Sequence, residues 1–144
     1  MNASTPPGAA GATKSVGDIM STELVTLKIG DTLRLADDIM NLAKIRHFPV
    51  LDDDRVAGVI DQADLLHASL RSLVKNPKES LRQALGTVAV KEVMMAPTTV
   101  SADTSIGEAA RIMVDKNVEC LLVMQDGRLA GLVSRTDLLK ELVR

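Results

Sequence analysis

Two short stretches hold the residue types best suited to binding chemistry. One is Gly131-Leu132-Val133-Ser134-Arg135-Thr136-Asp137; the other is Gly58-Val59-Ile60-Asp61-Gln62-Ala63-Asp64. Each runs from a small residue through two apolar ones to a polar side chain three positions ahead of an aspartate. The apolar residues read as a strand end, and the aspartate falls at the start of a helix. A hydroxyl such as that of Ser134, with the backbone N–H groups of a helix N-terminus, suits a phosphate. An aspartate carboxylate accepts from a pair of hydroxyls. The same spacing is close to a capping box, and Asp61 is a good N-cap residue on its own. Capping and binding can coexist.

The remaining candidates read more plainly. Arg46 and His47 adjoin Phe48-Pro49-Val50, and Arg135 adjoins Ser134. Such cations can neutralise a phosphate or stand as solvated charges at strand and helix ends. Cys120 occupies the position matching His47 and reads as a small strand residue rather than a reactive thiol. His47, His67 and Cys120 lack the spacing of zinc ligands, so no metal site is expected. Ser134 with a histidine has no Gly-x-Ser-x-Gly elbow to support it as a nucleophile, and no enzyme activity is expected.

The elements that must position these residues are written twice. A constant offset of 73 pairs Gly58 with Gly131, Ala36 with Ala109, Ile39-Met40 with Ile112-Met113, Val50 with Val123 and Asp64-Leu65-Leu66 with Asp137-Leu138-Leu139. At the head the offset is 74, from Asp18-Ile19-Met20 to Glu92-Val93-Met94. A fixed period with apolar positions in phase marks a duplicated structural unit. Each copy starts with a short helical turn (Val16 to Met20; Val90 to Met95) and a brief extended segment, Leu24-Val25-Thr26 or Thr98-Thr99-Val100. An amphipathic helix follows behind Asp31 and Thr32, or Asp103 and Thr104. Then come two short strands (His47 to Leu51 and Val56 to Ile60; Glu119 to Met124 and Leu129 to Val133) and a helix from Gln62 or Arg135. The strands turn at Asp52-Asp53-Asp54 and at Gln125-Asp126-Gly127, the latter a strong hairpin signal. The order is β-α-β-β-α, twice, an α+β fold. Between the copies, Asn76-Pro77 breaks the helix. Pro77 to Leu85 reads as a linker helix with Pro in its first turn, ended by Gly86.

Bulk properties exclude several classes. The chain has 144 residues and a formal net charge of −2, without a basic block, so nucleic acid is not an expected partner. Phe48 is the only aromatic residue, which removes stacking platforms for bases. The single cysteine excludes an internal disulfide and fits a reducing compartment. No run is long and apolar enough to span a membrane. Residues 1–15 read as a disordered tail on a cytoplasmic protein. The domain plan is 16–70 for the first copy, 71–89 for the linker and 90–144 for the second copy.

Taken in order, Ile19-Met20, Val25-Thr26, Ala36, Pro49-Val50 and the two glycine elements resemble the cystathionine-β-synthase (CBS) domain family, from about Val16 to the C-terminus. The resemblance implies a tandem pair, or Bateman module, packed with an internal pseudo-two-fold, with clefts between the copies. Family members commonly bind AMP, ADP, ATP, S-adenosylmethionine or NAD there. The family's ribose-binding aspartate falls on Asp137 and Asp64, and its Ser/Thr falls on Ser134 only. Its adenine-contacting segments fall around Thr98, Thr99, Val100, Cys120, Leu121 and Leu122 for one cleft. For the other they fall around Leu24, Val25, Thr26, His47, Phe48 and Pro49. The expected function is a stand-alone regulatory module for an adenine nucleotide or adenosyl ligand, acting on a downstream protein. The alternative is a ligand-free interaction module acting through dimerisation.

Asp61 departs from that pattern, since a carboxylate replaces the hydroxyl that would face ribose or phosphate. Two unit charges about 5 Å apart at an effective dielectric near 20 repel by roughly 3 kcal/mol. The second site is therefore expected to be weaker, or selective for a ligand without a nearby phosphate. The closing helices carry broad apolar runs, Leu65, Leu66, Leu70, Leu73 and Val74 in one copy and Leu138, Leu139, Leu142 and Val143 in the other. These predict a homodimer.

Overall fold

The computed structural model describes residues 14–143. Its elements are α1 (Val16–Ile19), β1 (Leu27–Lys28), α2 (Leu33–Ala43), β2 (His47–Asp52), β3 (Arg55–Asp61), α3 (Gln62–Lys75) and α4 (Leu81–Leu85). A 3-10 turn (Val90–Glu92) follows, then β4 (Thr99–Ser101), α5 (Ile106–Lys116), β5 (Cys120–Gln125), β6 (Arg128–Ser134) and α6 (Arg135–Leu142). The fold is α+β, with two three-stranded sheets ordered β1-β2-β3 and β4-β5-β6. In each sheet the first strand runs parallel to the second, and the second pairs antiparallel with the third.

Local chemistry explains the element ends. The Thr32 hydroxyl accepts from the Leu35 N–H to start α2, which buries Leu33, Ala36 and Met40 at helical spacing and stops at Lys44 in the left-handed region. In α5 the cap is Ser105, one residue beyond Asp103 and Thr104, because the Thr104 N–H closes a turn onto the Ser101 carbonyl. The second hairpin turns through Asp126 and Gly127, both at positive φ, as its Asp-Gly pair requires.

Three expectations are corrected. The segment Leu24 to Thr26 precedes its strand, which is Leu27–Lys28. The linker helix begins at Leu81, not Pro77. Ser80 and Gln83 cap each other one turn later, at 3.1 and 3.2 Å, and Pro77 to Glu79 are left in a turn closed by the Glu79 N–H on the Asn76 carbonyl. It ends at Gly86 with φ −73°, so that glycine adopts no left-handed cap. The supposed tail is also shorter at its inner end. Ser15 stands at the N-cap position of α1, its N–H donating to Asp18 Oδ2 at 2.9 Å, and the Lys14 ammonium pairs with Glu141 at 3.0 Å. Residues 1–13 lie outside the described residues.

The chain forms two compact units. One is Leu24–Pro97; the other joins the described residues up to Glu23 with those from Thr98 onward. The head of each copy thus packs in the unit built on the other copy's sheet. Ser21 and Leu132 exchange backbone hydrogen bonds of 2.9 and 3.0 Å, and Val59 and Met95 exchange bonds of 3.0 and 2.8 Å. Val16 and Val90, one from each head, are fully buried. Val16 joins the core of Val100, Leu121, Val123 and Val133, and Val90 joins that of Leu27, Phe48, Val50 and Ile60.

Gly131 and Gly58 make the contact possible. A Cβ on Gly131 would collide with the Met20 sulfur and stand 2.9 Å from the Ser21 carbonyl oxygen. On Gly58 it would stand 2.6 Å from the Met94 sulfur and 2.9 Å from the Met95 carbonyl oxygen.

Candidate functional site

In the unit that contains α6, strand β6 delivers Ser134 directly to the helix start. The Ser134 hydroxyl accepts from the Asp137 N–H at 3.1 Å, and Asp137 Oδ2 accepts from the Ser134 N–H at 2.8 Å. The capping box expected from the spacing is complete. It still leaves chemistry to spare. The Ser134 hydroxyl hydrogen and Asp137 Oδ1 have no partner among the described residues, so one donor and one ionisable acceptor remain for a ligand.

Pairing brings the other expected residues of this site to the same sheet end. Cys120 lies opposite Ser134, Thr99 lies opposite Leu122, and the Leu122 N–H donates to the Thr98 carbonyl at 2.9 Å. Thr98, Cys120 and Ser134 therefore stand where α6 begins. Val100 and Leu121 belong to the core, and Leu122 is buried too, so these three have little side-chain surface to offer. Arg135 is turned elsewhere. Its guanidinium donates to the Val118 carbonyl at 3.3 Å and lies 4.0 Å from Glu119, while its N–H donates to the Glu119 carbonyl. Arg135 fastens the start of α6 to the end of the α5–β5 loop.

The unit Leu24–Pro97 repeats this arrangement with different charge. Asp61 lies opposite His47 and caps α3. Asp61 Oδ1 accepts from the Asp64 N–H at 2.8 Å, and Asp64 Oδ2 accepts from the Asp61 N–H at 3.0 Å. The Gln62 N–H donates to the Arg46 carbonyl, as Arg135 does to Glu119. Burial pushes the half-buried Asp64 carboxyl up to about 6, with the Asp61 N–H opposing the shift and the Asp61 charge reinforcing it. Phe48 and Pro49 are buried, Val25 is partly buried against the core, and Thr26 is exposed just ahead of β1. Where one unit offers a hydroxyl and a carboxylate, the other offers two carboxylates.

A model of the CBS domain matches this chain twice, over residues 16–71 and 90–144. The chain belongs to the CBS domain family. A CBS domain-containing protein of Dictyostelium discoideum is 33% identical over 132 residues, covering 90% of this chain and 91% of that one. Among solved structures, CBSX2 in complex with AMP is 25% identical with a TM-score of 0.72, covering 90% of this chain and 96% of its own. The CBS domain of a membrane protein from Sphaerobacter thermophilus is 26% identical with a TM-score of 0.75, covering 91% and 89%.

Other relatives are much longer. The chain spans 13% of the A-adding tRNA nucleotidyltransferase of Geobacter sulfurreducens, with 29% identity, and 44% of a Thermofilum pendens relative. This chain is a CBS-pair regulatory module. Among its described residues, no helix is long and apolar enough to cross a membrane.

Proposed function

We propose that this CBS pair binds an adenosine-containing ligand at the Ser134–Asp137 helix start and passes its occupancy to a downstream protein as a change of shape or affinity. The observation that carries the reading is the spare chemistry of the capping box. A hydroxyl donor and a second carboxylate oxygen stand at one sheet end with Thr98 and Cys120, at the positive end of a helix dipole. In this reading Asp137 accepts from ribose hydroxyls, Ser134 contacts ribose or phosphate, and the Thr98–Val100 and Cys120–Leu122 backbones flank the base. The AMP bound by CBSX2 supports the ligand class. AMP, ADP, ATP and S-adenosylmethionine are the compounds to test. A ligand shifts the output only by its differential affinity for two states.

Asp61 favours a second reading for the other unit, an interaction surface with a weak or empty site. There the hydroxyl is replaced by a second carboxylate.

Because the chain has no Trp or Tyr, it absorbs little at 280 nm, and an absorbance scan of the purified protein exposes any retained adenine. Titration calorimetry with the four ligands then tests the site. Asp137→Ala is expected to weaken binding by roughly 1.5–3 kcal/mol, the range for hydrogen bonds to a charged group. Unchanged binding in that variant would remove Asp137 from the site.

A further inference from the structure

We infer that the groove walled by the C-terminal half of α3, the linker helix α4 and the segment ending in the 3-10 turn binds a phosphate group, carried by a small metabolite or as the free ion. The groove encloses about 450 Å³, within the usual range of small-ligand sites. Arg71 and Lys75 both line it, one helical turn apart. Like charges at that spacing repel along a helix. Among the described residues, no carboxylate pairs with either cation. Ser72 and Asn76 line the same wall, and their side chains also lack partners, so two neutral donors accompany the charges.

The opposing groups are few. Among the described residues, Glu92 is the one acid on the lining, and its Oε2 is held by the Ala89 N–H at 2.8 Å. The Thr87 hydroxyl already donates to the Ala84 carbonyl at 2.8 Å. The carbonyl end of α3 carries about half a negative charge against the two cations. An anion therefore seats against Arg71 and Lys75, away from Glu92, with modest affinity.

The site is separate from the helix start of α3. Asp64 and Lys75 stand about 16 Å apart along the helix at 1.5 Å per residue. All of its lining residues belong to the unit Leu24–Pro97.

Backbone amide NMR of the whole chain, titrated at constant ionic strength, tests this with inorganic phosphate in one arm and glycerol 3-phosphate in the other. Saturable shifts at 71–76 and 87–93 are expected in at least one arm. A tighter ester identifies a metabolite, and equal binding identifies the free ion. Arg71→Gln/Lys75→Gln, whose exposed positions leave the rest of the spectrum in place, should weaken binding at least about tenfold. Asp137→Ala should leave it intact, which separates this site from the nucleotide site. Non-saturable shifts in both arms, or equal binding by the double variant, would overturn the inference.

Discussion

At Asp61 and Asp64 two carboxylates share one helix start, whereas Ser134 and Asp137 divide the same task between a hydroxyl and an acid. The difference should appear as unequal ligand binding. Asp61→Thr removes the charge, keeps a capping oxygen, and is expected to raise AMP affinity in that unit by up to about a hundredfold, the equivalent of the repulsion it relieves. Calorimetric stoichiometry reads this directly. Two equal tight sites in the unmodified chain would show that Asp61 repels nothing.

Asp64 carries a pH signature as well. Burial raises its carboxyl from 3.8 to about 6 in the folded chain. The folded state therefore holds the proton more tightly than the unfolded state. Its contribution to stability falls as pH rises through that window, and the penalty persists above it. Asparagine would still accept from the Asp61 N–H without carrying charge. Asp64→Asn is expected to stabilise the protein near pH 7.5 by less than about 1 kcal/mol, given solvent screening of a half-exposed group. Urea denaturation should show the gain shrinking toward pH 4. A gain independent of pH would refer the effect to packing.

Among the elements, the heads depend on a close approach of backbone to backbone. Strand β6 offers its outer edge at Leu132, Ser21 bridges to it, and Met20 lies over Gly131. Gly131→Ala would press a methyl group against the Met20 sulfur and the Ser21 carbonyl at once. The sulfur can swing aside, but the carbonyl is fixed by its bond from the Leu132 N–H. A loss of about 1–3 kcal/mol is expected. Adding Met20→Ala should restore only part of it, because the carbonyl contact remains. Full restoration in chemical denaturation would mean that the side chain alone sets the spacing.

At the scale of the whole molecule, the closing helices leave apolar faces exposed. Leu66 is 56% exposed and Leu70 52%, and in the other unit Leu139 is 54% and Leu142 80% exposed. An apolar groove of about 540 Å³ runs between α5 and α6, lined by Ile106, Met113, Leu138, Leu139 and Leu142 among others. Contiguous apolar surface of this kind marks an interface, and a two-fold dimer would bury the same patch on both subunits. Homodimerisation remains our proposal for these faces. Leu139→Lys/Leu142→Lys is expected to sediment as a monomer with its fold retained, since both side chains are exposed. A monomer in the unmodified chain at micromolar concentration would refute the dimer.

Much of this molecule was determined by sequence alone, wherever the deciding interactions are local. The repeat, the β-α-β-β-α order and the start of α3 and α6 follow from apolar periodicity and from side chains that bond three residues away. Asp61 with Asp64 and Ser134 with Asp137 are such pairs. The late start of the linker helix is local too, because Ser80 and Gln83 offer a better cap than Pro77. The remaining features rest on non-local contacts. Both heads carry the same apolar pattern, so nothing in Ile19-Met20 or Val93-Met94 says which sheet each will join. Packing does, by setting Met20 over Gly131 and Met94 over Gly58. The turn of Arg135 toward Val118, the partial burial that raises Asp64, and the grouping of Arg71 and Lys75 against the linker likewise depend on segments far apart in the chain. Local hydrogen bonding can be read from spacing, but burial and distant partners exist only once the chain has closed on itself.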